Sequence, residues 1–160
     1  MNHWLMKTEP STFGIDDFAK RPKKTAMWDG VRNYQARNML RDQMKKGDQA
    51  FMYYSSTEVP GIVAIMEVVR PAHPDPGQFD RKSKYYDAGS DRANPRWYQV
   101  EVRLLKKFAR PVTLEMLREH ADGPLADLVV LRRGNRLSVM PVTSSEWKFI
   151  HRLARENDPD

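Results

Sequence analysis

The segment Ile62–Val69 restricts the possible folds more than any other part of this 160-residue sequence. It is apolar at almost every position, with Glu67 as the exception, and short runs of this kind are typical of strands buried on both faces. Such a strand belongs in the middle of a sheet, with other elements covering both of its sides. The run is also too short to cross a bilayer as a helix, which takes about 20 apolar residues.

The other periodicities in the sequence indicate short strands and helices. Alternation over Trp97–Leu105 predicts a half-buried strand, with Tyr98 and Val100 on its apolar face and Trp97 and Gln99 on its polar face. Further strands are predicted at His3–Lys7, in a short segment that ends at Trp28, and at Ala50–Tyr54. A closing hairpin is predicted from Leu128–Leu131 and Leu137–Met140. Helices are predicted after a cap at Ser11 or Thr12, from about Asn33 to Met44, after Thr113, and after a capping box of Thr143 and Glu146. A long functional loop is expected from Pro71 to Pro95.

These elements predict an α+β fold, in which short strands form a small barrel or strongly curved sheet and the helices lie at its periphery. Residues 1–160 are expected to form a single domain, because no repeat, low-complexity tract or long linker divides them. The N-terminal residues lack the basic and apolar regions of a secretory signal. We therefore expect a cytoplasmic protein, or a nuclear one if the source is eukaryotic. We also expect no membrane partner and a monomeric state.

The charge balance favours a polyanionic partner. Lys and Arg number 27 against 21 Asp and Glu, which gives a net charge of +6 and a pI near 9.6. The sequence has no Cys, which excludes disulfides, Cys nucleophiles and iron–sulfur clusters. The four His lack the paired spacing of a metal-binding helix, and no glycine-rich phosphate loop is present. We expect no metal, no cofactor and no assignable catalytic residue.

Tryptophans and arginines are the candidate binding residues. Trp28 precedes the turn dipeptide Asp29–Gly30, so its ring is either a pocket wall or a core residue at the mouth of the barrel. Trp97 is a second pocket candidate because alternation puts it on the polar face, whereas Trp4 and Trp147 lie on apolar stripes and indicate packing.

Basic residues form five clusters, of which one differs from a solvated loop. Arg132, Arg133 and Arg136 flank the Gly134–Asn135 turn, whose backbone amides could also face an anion. The turn is thus either a phosphate-binding site or an ordinary hairpin turn. The other clusters, Lys20–Lys24 among them, are most simply interpreted as solvated loops.

Four segments resemble the EVE domain family. They are Trp4–Pro10 (WLMKTEP), Trp28–Asn38 (WDGVRNYQARN), Tyr85–Asp87 (YYD) and Leu137–Val142 (LSVMPV). The resemblance extends from about Trp4 to Ile150, with Thr8 standing where the family often has Ser. EVE domains have the PUA-like fold and are similar to the YTH readers of methylated adenine. The resemblance implies a curved barrel with flanking helices and a pocket that takes in one modified base.

The resemblance also implies roles for particular residues. Trp28 would stack on the extruded base, with Asp29 next to it, and Glu9 would face the base's pairing edge. Lys7 and the turn with Arg132, Arg133 and Arg136 would contact backbone phosphates. The far wall of the pocket would be Trp97, Tyr54 or Tyr85, with Trp97 favoured by strand alternation. Val31, Arg32, Asn33, Ser55 and Pro141 complete the residues expected around the base.

Three functions fit these observations. The first is a binding module that reads a modified nucleobase, cytosine in DNA by preference and RNA as the other possibility, because an extruded base needs aromatic walls and a few polar groups. The second is a hydrolase of acylated cytidine, as in PUA-like relatives of the ASCH type, with Lys7, Thr8 and Glu9 as its chemistry. Alternation weakens this alternative because it turns Thr8 away from Lys7 and Glu9. The third is a protein-interaction domain with a vestigial pocket.

Overall fold

A six-stranded mixed sheet organises residues 1–158, which are the residues that this computed structural model describes. The strands are β1 His3–Thr8, β2 Thr25–Trp28, β3 Gln49–Tyr54, β4 Gly61–Pro74, β5 Tyr98–Thr113 and β6 Val139–Val142. Their order across the sheet is β2-β5-β4-β3-β1-β6. The β1–β3 pair is parallel and the other pairs are antiparallel. The expected α+β class with a strongly curved sheet is confirmed.

Helices surround the sheet. They are α1 Ile15–Lys20, α2 Tyr34–Asn38, α3 Leu114–Arg118 and α4 Ser144–Glu156, and α2 continues into a π-helical turn at Met39–Gln43. Short 3-10 turns occur at Pro76–Phe79 and Val129–Leu131, and Pro22–Lys24 forms a tight turn with non-helical backbone angles. Within residues 1–158, none of the helices combines the length and the apolar character that a transmembrane segment needs.

β4 occupies the middle of the sheet, as its apolar sequence predicts. It pairs with β3 on one side and β5 on the other, and its side chains from Ile62 to Met66 are buried. Two apolar clusters cover the two faces of the sheet. Trp4 and Met6 of β1 belong to one cluster, while Leu5 between them belongs to the other. Successive residues of a strand point to opposite faces, so both faces are core.

β4 and β5 are much longer than the sequence indicates, and the expected loop at Pro71 is strand as far as Pro74. The β4–β5 pairing contains four register shifts, one of them between Arg70 and His73. Pro71 lies inside that irregularity, where a residue without an N–H costs no regular ladder hydrogen bond. Bulges of this kind also bend strands and increase their twist, so they curve the sheet.

Local capping signals predict the helix starts well in two cases of three. The Thr113 side chain accepts from the Met116 N–H at the start of α3, and Thr143 forms the predicted capping box of α4 with Glu146. At α1 the prediction of Ser11 or Thr12 is wrong, because the N-cap is Gly14. The chain first turns through a hydrogen bond from the Thr12 N–H to the Glu9 carbonyl, which delays the helix.

The predicted closing hairpin is wrong. Val129–Leu131 forms a 3-10 turn, and β6 pairs with β1 instead of with a neighbouring segment. Leu128 is buried in the cluster that α4 also joins, so tertiary packing fixes this stretch outside the sheet. An apolar run of four residues cannot by itself separate a buried turn from a strand.

Two histidines flank the buried Trp147. The ring of His3 stacks on it with centroids 4.4 Å apart, and the His151 ring lies 5.0 Å away. His151 Nε2 is buried without a hydrogen-bond partner among residues 1–158. Burial lowers the pKa of both imidazoles, and nearby Arg155 and Lys106 lower the pKa of His151 further.

We expect these histidines to make the fold sensitive to acid. Because their folded pKa values lie below the ordinary value of about 6.5, the unfolded chain binds more protons as the pH falls. Their contribution to stability is therefore complete above about pH 6.5 and is lost as the pH falls through the folded pKa. The His151→Gln variant should lose less unfolding free energy between pH 7 and pH 5 than the wild type, as measured by urea titration. The control is His73→Gln, because His73 lies outside this cluster. If the unfolding free energy of both variants depends equally on pH, the acid sensitivity does not come from His151.

Candidate nucleic-acid interface

A cleft of about 840 Å³ opens where β1 and β2 end. β2 and β6 are opposite edges of the sheet, yet residues of β2 and the segment just before β6 line this same cleft. The curvature of the sheet therefore brings its two edges to the two sides of one opening. The cleft is lined by Lys7, Thr8, Glu9, Thr12, Phe13, Arg21, Ala26, Met27, Trp28, Asp29, Gly30, Val31, Ser55, Ser56, Lys84, Tyr85, Arg136, Leu137 and Ser138.

Trp28 is both a core residue and a wall of the cleft. It is 5% exposed and belongs to the apolar cluster on one face of the sheet, while it also lines the opening. The Phe13 ring meets it edge-on, with centroids 6.2 Å apart and planes at 89°. This contact holds the indole in one orientation, which is what a stacking surface requires.

Tyr85 forms a second aromatic wall because Gly30 has no side chain. Gly30 has a φ of +76°, and a Cβ built on it would lie 2.5 Å from the Tyr85 Cζ atom. Glycine therefore meets two requirements at this position, the left-handed backbone and the close approach of the ring. The turn that follows Trp28 thus fixes where the Tyr85 ring lies.

The Asp75 carboxylate ties this turn to the loop that carries Tyr85. Asp75 is 1% exposed and accepts hydrogen bonds from the N–H groups of Gly30 at 2.9 Å and Gly77 at 2.8 Å. Its third partner is Arg32 Nη1 at 3.1 Å. Arg32 also donates through Nε and Nη2 to the Tyr85 carbonyl. Each oxygen of the buried carboxylate therefore has at least one donor, and the guanidinium bridges two distant segments.

Trp97 supports the cleft from behind and does not line it, which corrects the expectation from strand alternation. It is 5% exposed, and its Nε1 donates to the Asp87 carboxylate at 2.7 Å. Its ring stacks on Tyr34 at 4.9 Å, and the Arg32 guanidinium lies 5.5 Å from it. The loop before β5 folds over the face that the sequence pattern marks as polar, and so buries it.

The cleft contains two carboxylates and one partly desolvated lysine. Burial lowers the pKa of the Lys7 ammonium. Desolvation raises the pKa of the Asp29 carboxyl, and the charge of Asp75 raises it further. Glu9, two residues after Lys7, is exposed at the rim. No cluster of three or more potential metal ligands occurs within residues 1–158.

Three further cations stand at the rim of the cleft. Arg21 lies over the Phe13 ring at 5.6 Å, and Lys84 lies over the Tyr85 ring at 5.1 Å. Arg136 lines the opposite side. Among the described residues, neither these three nor Lys7 has a carboxylate within ion-pair distance. Their charge is therefore available to an anionic partner.

The structure brings about half of the sequence-predicted site residues together. Those that line the cleft are Lys7, Glu9, Trp28, Asp29, Val31, Ser55, Tyr85 and Arg136, while Arg32, Asn33, Tyr54, Trp97, Arg132, Arg133 and Pro141 do not. Asn33 instead caps α2, and the Tyr54 hydroxyl accepts from the Ile15 N–H. Pro141 pairs with Trp4 within the sheet.

Two neighbouring positions differ from the sequence pattern. Arg132 and Arg133 are exposed outside the cleft, in a loop and not at a hairpin tip, and their contact with backbone phosphates stays a prediction. Alternation turns Thr8 away from Lys7 and Glu9, yet Thr8 lines the cleft, because it shares the face of Trp4 and Met6, whose apolar cluster also contains Trp28. Its hydroxyl donates to the Phe13 carbonyl at 3.1 Å.

Several lining residues have no sequence signal that points to a site. Arg21 and Lys84 belong to basic clusters whose pattern is typical of solvated loops. Phe13 has no local signal at all, because a single aromatic in a turn is compatible with many environments. Leu137 and Ser138 were assigned to a strand of the hairpin that the structure lacks.

A curved mixed sheet with peripheral helices and an opening between its two edges defines a PUA-like domain. The profile of the EVE domain matches residues 2–153. Thymocyte nuclear protein 1 of Homo sapiens is 40% identical over 173 residues, covering 99% of this chain and 76% of that protein. The chain belongs to the EVE domain family.

Solved structures agree with this assignment. The human THYN1 protein in complex with 5-methylcytosine containing DNA matches with a TM-score of 0.93 and 40% identity, covering 99% of this chain and 100% of that one. The YTH domain of the Zygosaccharomyces rouxii MRB1 protein, in complex with N6-methyladenosine RNA, matches with a TM-score of 0.53 over 96% of this chain and 86% of that one. At 12% identity the latter likeness concerns the fold alone.

The close approach of Tyr85 to Gly30 can be tested against a matched glycine. Gly134 has nearly the same φ, +74°, but nothing lies within 4 Å of a Cβ built there. Gly134→Ala should therefore cost only the left-handed strain of about 1–2 kcal/mol. Gly30→Ala should lose about 1–3 kcal/mol more unfolding free energy, because it also overpacks the Tyr85 ring. Urea titration measures both losses, and equal values would show that the ring does not constrain this position.

Proposed function

We propose that this chain binds nucleic acid carrying a modified base, with modified cytosine in DNA as its preferred ligand and RNA as the second polymer to test. The base leaves its stack and enters the cleft between the sheet edges. The observation that carries the proposal is the cleft itself, in which Trp28 and Tyr85 form aromatic walls below a rim of cations without acidic partners. The complex of human THYN1 with 5-methylcytosine containing DNA supports the choice of ligand.

The energetics require all of these parts together. Extruding a base costs a few kcal/mol, and stacking on an aromatic side chain returns about 1–3 kcal/mol per base. Stacking alone thus barely offsets the extrusion, so hydrogen bonds to the base and phosphate contacts must supply the remainder. Glu9 and Asp29 offer acceptors for the base, while Lys7 and Arg136 offer charge for the backbone. The cleft volume of about 840 Å³ lies within the usual range of small-molecule sites.

A conservative change at Trp28 tests the stacking wall. Truncation to Ala would cost about 3–5 kcal/mol of stability, because this ring is also part of the core. Trp28→Phe keeps most of the packing but offers a smaller stacking surface. It should reduce the preference for 5-methylcytosine duplex over plain duplex roughly threefold to tenfold, since 1.4 kcal/mol corresponds to a factor of ten.

The matched control is Trp147→Phe, which changes a buried Trp on the other core cluster. Fluorescence anisotropy with modified and plain duplexes gives the preference of each variant, and a thermal melt verifies folding. The stacking role fails if Trp28→Phe folds and keeps the wild-type preference, or if Trp147→Phe loses as much.

Glu9 is proposed to set the identity of the base. An ionised carboxylate only accepts hydrogen bonds, so it matches the amine of cytosine and repels the carbonyl that uracil presents at the same place. Glu9→Gln should abolish the preference for modified cytosine over modified uracil, because an amide can rotate to serve either partner. Equal discrimination by wild type and variant, measured on matched oligonucleotides, would exclude Glu9 as the reader and leave it as a rim charge near Lys7.

The hydrolase alternative has one observation in its favour. Lys7, Thr8 and Glu9 all line the cleft, and burial lowers the pKa of the lysine, which favours its neutral, basic form. Incubation with N4-acetylcytidine separates the two functions. Release of cytidine, lost on Lys7→Met, would favour the hydrolase, whereas unchanged nucleoside together with selective binding of modified duplex supports the reader.

A further inference from the structure

The turn between α1 and β2 has an unusual backbone for its sequence. Lys23 has φ 56° and ψ 15°, and Lys24 has φ 54°. The Thr25 N–H donates to the Pro22 carbonyl and closes the turn. Two successive central residues with positive φ are the pattern of a type I′ turn, whose positions strongly favour Asn and Gly. Here both positions are lysine.

Nothing in the fold explains the choice of lysine at these positions. Residues with a Cβ are disfavoured in the left-handed region, so each lysine strains the turn that it forms. Both side chains are exposed, and neither is in an ion pair with any residue of 1–158. The strain is thus not offset by side-chain contacts within the fold. Strained backbone of this kind is common at binding sites.

The turn lies beside the cleft. Arg21, two residues before Lys23, lines the opening and is likewise without an acidic partner among the described residues. β2 then leads from Thr25 to Trp28. Four steps of about 3.3 Å place the Lys24 backbone at most about 13 Å from that of Trp28. The turn is therefore within about 13 Å of the residue on whose ring the base would stack.

The turn and Arg136 lie on opposite sides of the cleft. Arg136 lines the cleft from the segment before β6, which is the edge of the sheet opposite to β2. The curved sheet therefore carries unpaired positive charge on both sides of the opening. A nucleic-acid strand whose base enters the cleft continues in both directions from that base. A phosphate-binding site on each side of the cleft would hold the backbone in both directions.

We propose that Arg21, Lys23 and Lys24 form a second phosphate-binding site, which holds the nucleic-acid backbone on the β2 side of the cleft. This site deepens the proposed function and rests on it. Because phosphate contacts position the polymer without reading its sequence, the site contributes equally to modified and plain nucleic acid. The left-handed turn fixes the two lysines in advance, so less freedom is lost when the backbone binds.

The double variant Lys23→Asn/Lys24→Gly separates binding from stability. It installs the residues that a type I′ turn favours, so its melting temperature should rise above that of the wild type. Its affinity for a 5-methylcytosine duplex and for a plain duplex should fall by the same factor. Each lost phosphate contact reduces the slope of log affinity against log salt by about 0.9, so the slope should decrease by about 1.8.

The charge-matched control is Lys45→Gln/Lys46→Gln. These lysines are exposed just before β3, at the end of the parallel β1–β3 pair that lies away from the cleft. The control should keep nearly the wild-type slope. The site is overturned if the Lys23→Asn/Lys24→Gly variant keeps the wild-type slope, or if both double variants lower it equally, since the effect would then be one of net charge.

Failure of this site and failure of the proposed function give different results. If the wild type shows no preference for modified duplex, but the turn variant alone loses salt dependence, the reading of modified bases fails and the phosphate site stands. If the preference is present and the slope is unchanged in the turn variant, the reader stands and the phosphate site fails. Absence of any binding at low salt would overturn both.

Discussion

The buried carboxylate of Asp75 is the interaction on which the shape of the cleft depends. An ionised carboxylate out of contact with water is costly unless hydrogen-bond donors and an opposite charge compensate it. Asp75 meets this requirement by accepting from the backbone of Gly30 and Gly77 and from Arg32, which belong to two different parts of the chain. Loss of any of these donors would leave the buried charge less compensated, so the turn after β2 and the loop before β5 are fixed relative to each other.

This junction also organises the aromatic residues around the cleft. The Arg32 guanidinium lies 5.2 Å from the Tyr85 ring and 5.5 Å from the Trp97 ring, and Trp97 in turn stacks on Tyr34. Cation–π and stacking contacts thus extend from the cleft wall to the surface. A wall that is already rigid loses little freedom when a base stacks on it, which increases the share of the stacking energy that appears as affinity.

The sequence predicts those features that depend on neighbouring residues. The continuous apolar run of β4, the threonine N-caps of the last two helices and the turn after Trp28 are all local, and the structure agrees with them. The burial of Trp97 could not be predicted, because it depends on Asp87 and Tyr34, and on an Arg32–Asp75 bond between residues 43 positions apart. The cleft itself depends on how far bulges curve the sheet, which no periodicity encodes.

The four tryptophans allow the most direct test of the central claim, because their indole N–H groups report on different parts of the molecule. Trp28 lines the cleft and Trp97 lies behind its wall, while Trp4 and Trp147 are buried away from it. ¹⁵N-labelled protein titrated with a 5-methylcytosine duplex should show a large shift of the Trp28 indole signal and little change at Trp4 and Trp147, and a plain duplex should shift Trp28 much less. Binding of the modified duplex with an unperturbed Trp28 signal would contradict entry of the base into this cleft.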